Sequence, residues 1–159
     1  MRLNTLIRRV ERLQGDLLPA VKEACVKEEK AILDYQQLQL YRGMNAEGGI
    51  MGTNYSLKHK NARLALGLPV DHVYLDFEGG LHEGMRVEYS NTGFSIVTDD
   101  WKMKLVEISL KTGYWVASNG THLEYGPVFG LDDVSKNMLV WKIKPRVASR
   151  IRNRLRSGR

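Results

Sequence analysis

The chain has one cysteine, Cys25, in 159 residues, so an internal disulfide is excluded and the fold must rest on a hydrophobic core. It has no apolar run near the roughly 20 residues that a membrane-spanning helix needs. The residues after Met1 alternate charge and leucine, without the apolar stretch of a secretory signal. These absences predict an intracellular chain, in which the sequons at Asn54 and Asn119 are chance matches.

Recognisable catalytic and ligand-binding motifs are also missing. The chain contains no Walker loop, GxGxxG, GxSxG or HExxH, and its four histidines lack the spacing of zinc ligands. The pairs Asp99-Asp100 and Asp132-Asp133 each precede a helical pattern, where carboxylates cap the helix. Cys25 lies on the apolar side of a predicted helix and is interpreted as a small buried hydrophobe. We therefore expect no enzyme activity, no catalytic residue, no metal and no cofactor.

Charge is distributed unevenly along the chain. The formal net charge is +6, but residues 134–159 hold nine Lys/Arg and no acid, whereas the rest holds 15 basic and 18 acidic residues. Together with a hydrophobic content of 43%, the length predicts a single domain over 1–159, of which 134–159 is a basic C-terminal helical arm. Such an arm suits an anionic partner.

Helical patterns dominate the first 66 residues. Apolar residues at three- and four-residue spacing from Leu3 to Leu13 predict an amphipathic helix ended by Gly15. A second helix, capped by Asp16 with Pro19 in its first turn, is predicted to continue to Ile32. Residues 34–44 favour a further helical turn ending at Gly43, with a strand left open. A glycine-rich turn or loose hairpin over 45–55 and a helix over 56–66 follow.

The middle of the chain predicts antiparallel strands. Alternation over 73–78, 85–89 and 94–98 indicates a meander with one buried face. Residues 101–110 favour a helix, with a strand as the alternative. Asn119-Gly120 lies between two β-prone runs and predicts a hairpin over 114–125. The predicted fold class is therefore α+β, an antiparallel β-meander packed with N-terminal helices and a long kinked C-terminal helix.

The last helix is the strongest candidate for a contact element. It is predicted to start at Asp132 or Asp133, and Pro145 predicts a kink or a break into two helices near Lys144. Its apolar positions are interpreted as the docking face, with arginines directed outward. The predicted partner-binding residues are those arginines and the glycine-rich loop: Arg146, Arg150, Arg152, Arg154, Gly48, Gly49 and Tyr55. A solvated face whose bases offset the helix dipole is the alternative interpretation.

Several short motifs resemble one family. The segments 39–43, 48–52, Tyr55-Ser56, 75–81, Asp99-Asp100 and 129–131 are similar to virion proteins of the tail-completion or head-tail joining class in tailed phages of Bacteroides-like hosts. The matching pieces fall within residues 36–131. The predicted hairpin over 114–125 departs from that family, which passes directly from the preceding helix to the Gly-Leu motif.

This resemblance implies a structural subunit at the head-tail connector, neck or tail. Its expected partners are other virion proteins and its own copies in a homo-oligomeric ring, with no membrane and no small-molecule substrate. The expected location is the virion, assembled in the host cytoplasm. The alternative function is a nucleic-acid-binding accessory protein, in which the arginines of the basic C-terminal helix neutralise phosphates and binding depends steeply on salt.

Overall fold

The fold was analysed in a computed structural model, which describes residues 3–51, 57–73, 80–99 and 126–157. These ranges contain five helices and two strands: α1 (Leu3–Lys27), α2 (Glu29–Tyr41), α3 (Leu57–Ala65), α4 (Gly80–Glu83), β1 (Met85–Tyr89), β2 (Phe94–Thr98) and α5 (Asp133–Ser157). The predicted α+β class is confirmed. Three predicted elements lie outside the described residues: the strand over 73–78, of which only Val73 is described, the helix or strand over 101–110, and the hairpin over 114–125.

Helix α1 is longer than predicted. It passes through Gly15 and Pro19 without interruption, so the expected end at Gly15 is wrong. Gly15 does not have the positive φ that ends helices at glycine. Ala20 and Ala24, one turn apart, are both buried, so tertiary packing stabilises the helix despite Gly15 and Pro19. Asp16 accordingly lies inside α1 rather than capping a second helix.

The boundary between α1 and α2 falls at Glu28. Its amide donates to the Cys25 carbonyl at 3.0 Å, and its own carbonyl accepts from Ile32 at 3.0 Å, so the chain is interrupted by a single residue. The further helical turn predicted over 34–44 belongs to α2. Arg42 follows that helix, and Gly43 then adopts a φ of +68° that reverses the chain.

The next segments follow their local patterns. An antiparallel bridge joins Met44 to Ile50, which confirms the predicted turn for its described part, and α3 confirms the helix predicted before Gly67. β1 and β2 pair antiparallel, with Val87 opposite Ile96 and both side chains buried. These strands confirm the two later members of the predicted meander.

The buried apolar residues form two clusters. One lies around α2 and the chain segments on either side of α3: Leu40, Met51, Val73, Leu81, Met85 and Val128. The other joins α1, α2, the β1–β2 pair and α5: Ala24, Cys25, Ile32, Val87, Ile96, Leu131, Leu139 and Ile143. Leu33 and Phe129 pack against both, so the two clusters are continuous. Cys25 is buried among these side chains, as predicted.

Two buried glutamines of α2 hold the segment that leads into α5. The Gln36 amide donates to the Val128 carbonyl at 3.2 Å, and its oxygen accepts from the Gly130 N–H at 2.8 Å. Gln39 donates to the Gly130 carbonyl at 2.9 Å and accepts from the Asp132 N–H at 2.8 Å. Each side-chain amide thus pairs with backbone as a neighbouring strand would, which satisfies polar groups inside the core.

Helix α5 starts where the aspartate pair predicts. The Asp132 carboxylate accepts from the Ser135 N–H at 2.8 Å, which is the bond of an N-cap. The helix then continues through Pro145 to Ser157 as one element. Of the two outcomes expected at Pro145, a break into two helices is therefore wrong.

Candidate protein-protein interface on the C-terminal helix

Helix α5 packs on the body through one face. Ser135, Leu139 and Ile143 are buried at four-residue spacing, and Val147 continues that row against the second cluster. This face contacts both α1 and α2. Only some of the apolar residues that were predicted to dock α5 are therefore buried against the body.

The opposite face of α5 carries a second apolar row, which we call the outer stripe: Val134, Met138 and Trp141. These residues are spaced by four and three positions, so they project from the same side of the helix over about 10 Å. Val134 is 66% exposed, and Trp141 is 82% exposed. An isolated exposed apolar residue is ordinary, but a tryptophan aligned with two other apolar side chains on one face is typical of a protein-protein contact.

Three of the four predicted contact arginines face carboxylates of α1 or of the residue that follows it, rather than an external partner. Arg146 meets Glu28 at 2.9 Å, Arg150 meets Glu23, and Arg154 meets Asp16 at 3.6 Å. Lys142 adds a longer contact of 3.8 Å to Glu28. Because the basic residues run forward along α5 while their acidic partners run backward along α1, the two helices are antiparallel. This surface is charge-paired within the chain.

A groove of about 770 Å³ follows the seam between α1 and α5. Ala20, Ala24 and Ser149 are the small residues along it, and Arg146 and Arg150 flank it. Arg150 and its partner Glu23 both line this groove, so an ion pair links the two helices across it.

The fourth predicted arginine has a different environment. Arg152 is exposed and its Nε donates to the Ala148 carbonyl of its own helix at 3.3 Å. Lys144 and Arg156 are exposed as well, and none of the ion pairs among the described residues involves these three side chains. They flank or continue the outer stripe, which therefore lies in a positively charged part of the surface.

The glycine-rich turn, the second predicted contact, has a structural role in its described part. The Asn45 side chain accepts from the Glu47 and Gly49 amides at 3.0 and 2.8 Å, and Gly48 adopts a φ of +80°. The Ala46 amide donates to the Pro127 carbonyl at 2.7 Å, so the turn also holds the segment before α5. Tyr55, the remaining predicted contact, lies outside the described residues.

The outer stripe was not predicted, because all apolar residues of α5 were interpreted as one docking face. The printed sequence does separate them, since Val134, Met138 and Trp141 follow one helical row and Leu139, Ile143 and Val147 follow another. Only contacts decide which row packs on the body.

Within 3–51, 57–73, 80–99 and 126–157, no helix is long and apolar enough to cross a membrane, and no group of three His, Cys, Asp or Glu side chains is arranged to hold a metal ion. The chain matches no family model, no curated protein and no solved structure. The resemblance to head-tail joining proteins therefore stays a prediction.

Proposed function

We propose that this chain is a structural assembly subunit of a tailed-phage virion, at the head-tail connector, neck or tail. It acts by protein-protein contacts with other virion proteins and with its own copies. The observation that carries the assembly role is the outer stripe, in which Trp141 is 82% exposed beside Val134 and Met138 on a helix fixed to the body. The virion setting rests on the motifs within residues 36–131 that resemble head-tail joining proteins. Burying such a row stabilises association, because aromatic side chains at the centre of an interface contribute most of the binding energy.

The rigidity of α5 supports this function. An interface helix loses less conformational entropy on binding when it is already ordered. Here the helix is held by its buried face, by the Asp132 cap and by the pairs between Arg146 and Glu28 and between Arg150 and Glu23. The outer stripe is thus presented on a helix that is already fixed to the body.

The alternative, nucleic-acid binding, has weaker support. Phosphates must compete with carboxylates already in contact with Arg146, Arg150 and Arg154. The residual cations Lys144, Arg152 and Arg156 are few, and phosphate contacts add affinity roughly in proportion to their number. Binding of a DNA duplex measured at two salt concentrations, with Arg150→Ala and Arg152→Ala, tests this alternative. Steep salt dependence that both variants reduce would favour it.

The test of the assembly function compares two variants that add the same charge. Trp141→Glu places a carboxylate in the outer stripe, whereas Asn61→Glu places one on the exposed surface of α3. In sedimentation velocity over a wide concentration range, we expect wild type and Asn61→Glu to associate and Trp141→Glu to remain smaller. Mass spectrometry of particles from the host that carries the gene should detect the chain. A wild-type chain that is monomeric throughout and absent from particles contradicts the proposal.

A further inference from the structure

The outer stripe of α5 cannot pair favourably with itself. Lys144, Arg152 and Arg156 surround or continue it, and Asp133 is the only acid in the helix. A two-fold contact between two copies of this face would bring these cations together, which opposes association. The complementary surface must therefore be apolar with an acidic surround.

Such a surface is present on α2. Leu38 and Tyr41 are 43% and 55% exposed, and the three-residue spacing places them on one side of the helix. We call this pair the α2 stripe. Asp34 is exposed one turn before Leu38 on the same side. The α2 stripe thus has an apolar centre and a carboxylate in line with it.

Two further carboxylates lie beside the α2 stripe. His72 Nε2 is 2.8 Å from the Tyr41 carbonyl, which brings the exposed Asp71 to this end of the helix. Gln37 donates to the His82 carbonyl at 3.2 Å, which places the exposed Glu83 along the flank. Lys30 and Arg42 bound the stripe at its two ends, so the three carboxylates leave a net negative charge.

The two stripes face opposite sides of the molecule. Gln36 and Gln39, on the buried side of α2, bond to residues 128–132, and Leu131 packs with Leu139 of α5 in the same cluster. The buried faces of α2 and α5 are therefore turned toward each other across this layer. Their exposed faces point away from each other.

We infer that the α5 outer stripe of one copy binds the α2 stripe of the next copy. Because the two surfaces differ and lie on opposite sides, the contact is head-to-tail, and successive copies form a closed ring or an open filament. The occupant is a second copy of this chain, for which the basic surround of one stripe and the acidic surround of the other provide charge complementarity. This inference rests on the proposed assembly function and names its self-contact.

Two variants that each disable one stripe test the head-to-tail contact. Trp141→Glu disables the α5 side, and Leu38→Lys disables the α2 side by placing a cation opposite the basic surround. Each variant alone is expected to lose at least about tenfold in self-association affinity and to sediment as a monomer. Mixed at equal concentrations they retain one intact pair of stripes, so the mixture should form a 1:1 dimer that neither variant forms alone. Asn61→Glu, mixed with wild type, is the control that leaves assembly unchanged.

The other outcomes separate this inference from the proposed function. If Leu38→Lys assembles as wild type does, or the mixture stays monomeric, the head-to-tail contact is wrong although the chain still assembles. If wild type is monomeric at every concentration but present in purified particles, the self-contact is also wrong, and the assembly function stands with another virion protein as the partner. Circular dichroism of both variants verifies that each is folded.

Discussion

Arg146 of α5 and Glu28, the single residue between α1 and α2, form a two-point contact in which the guanidinium Nε and one terminal nitrogen donate to the same carboxylate oxygen at 3.1 and 2.9 Å. The Glu28 side chain is only 16% exposed, whereas that of Arg146 is 52% exposed. One carboxylate therefore ties the junction of the first two helices to the C-terminal helix, 118 residues further along the chain.

Loss of this carboxylate should loosen α5. Glu28→Gln removes the charge that faces Arg146 and Lys142, and we expect the free energy of unfolding to fall by about 1 kcal/mol at low salt. Urea denaturation measures the change, and Glu11→Gln, on the exposed surface of α1, is the matched control. Because salt screens partly exposed pairs, the difference should shrink in 1 M NaCl. An equal loss in both variants would exclude the contact as its cause.

Removal of the Gln39 amide should cost more. Gln39→Leu leaves the buried Asp132 N–H and the partly buried Gly130 carbonyl without their partner, and a fully buried unsatisfied group costs roughly 1–3 kcal/mol. Gln37→Leu is the comparison, since it removes one bond to the His82 carbonyl at a partly buried site. The expected order of stability in urea is wild type, Gln37→Leu, then Gln39→Leu. The reverse order of the two variants would contradict the role assigned to Gln39.

Three glycine substitutions separate backbone strain from steric clash. Gly43→Ala combines a φ of +68° with a Cβ only 2.5 Å from the His72 ring, whereas Gly67→Ala has a φ of +67° with no atom within 4 Å. Gly93→Ala has open space and no positive φ. We expect losses of about 1 kcal/mol for Gly67→Ala, a larger loss for Gly43→Ala and little change for Gly93→Ala. Thermal unfolding of the three variants checks the order.

Tyr89 should make stability depend on pH in the alkaline range. Burial, together with the nearby Glu29 carboxylate, raises the pKa of Tyr89 to about 12, from about 10 in the unfolded chain. The folded state therefore binds the phenol proton more tightly, and this contribution is complete below pH 10 and lost as pH rises through 12. Ultraviolet titration should show Tyr89 ionising late, and Tyr89→Phe should remove that step. A titration unchanged by Tyr89→Phe would contradict the assignment.

Features with a local cause were predictable from the sequence. The N-cap at Asp132, the helix before Gly67 and the pair of strands around residues 90–93 each depend on residues adjacent in the chain. The continuity of α1 through Gly15 was not predictable, because it depends on burial of Ala20 and Ala24 under α5.

For the candidate site, only the helix that carries it was predictable from the sequence. The sequence identifies the basic C-terminal helix, but the arrangement of its two apolar rows and of its arginines depends on where α1 lies. Glu28 and Arg146 carry no local pattern that links them, and the same holds for Glu23 and Arg150. Four arginines were therefore predicted to face outward. Three of them contact carboxylates of the same chain instead.

The glutamine contacts of α2 also constrain the order in which the chain folds. Gln36 and Gln39 bond to residues 91 to 94 positions further along the chain. During synthesis α2 leaves the ribosome long before residues 128–132 exist, so both amides remain hydrated until those residues have been made. Closing so long a loop is slow, because its entropy cost precedes the bonds that offset it. Docking of α5, which follows directly from Asp132, thus comes after α1, α2 and the two strands have been made, and the outer stripe is available for assembly only after that docking.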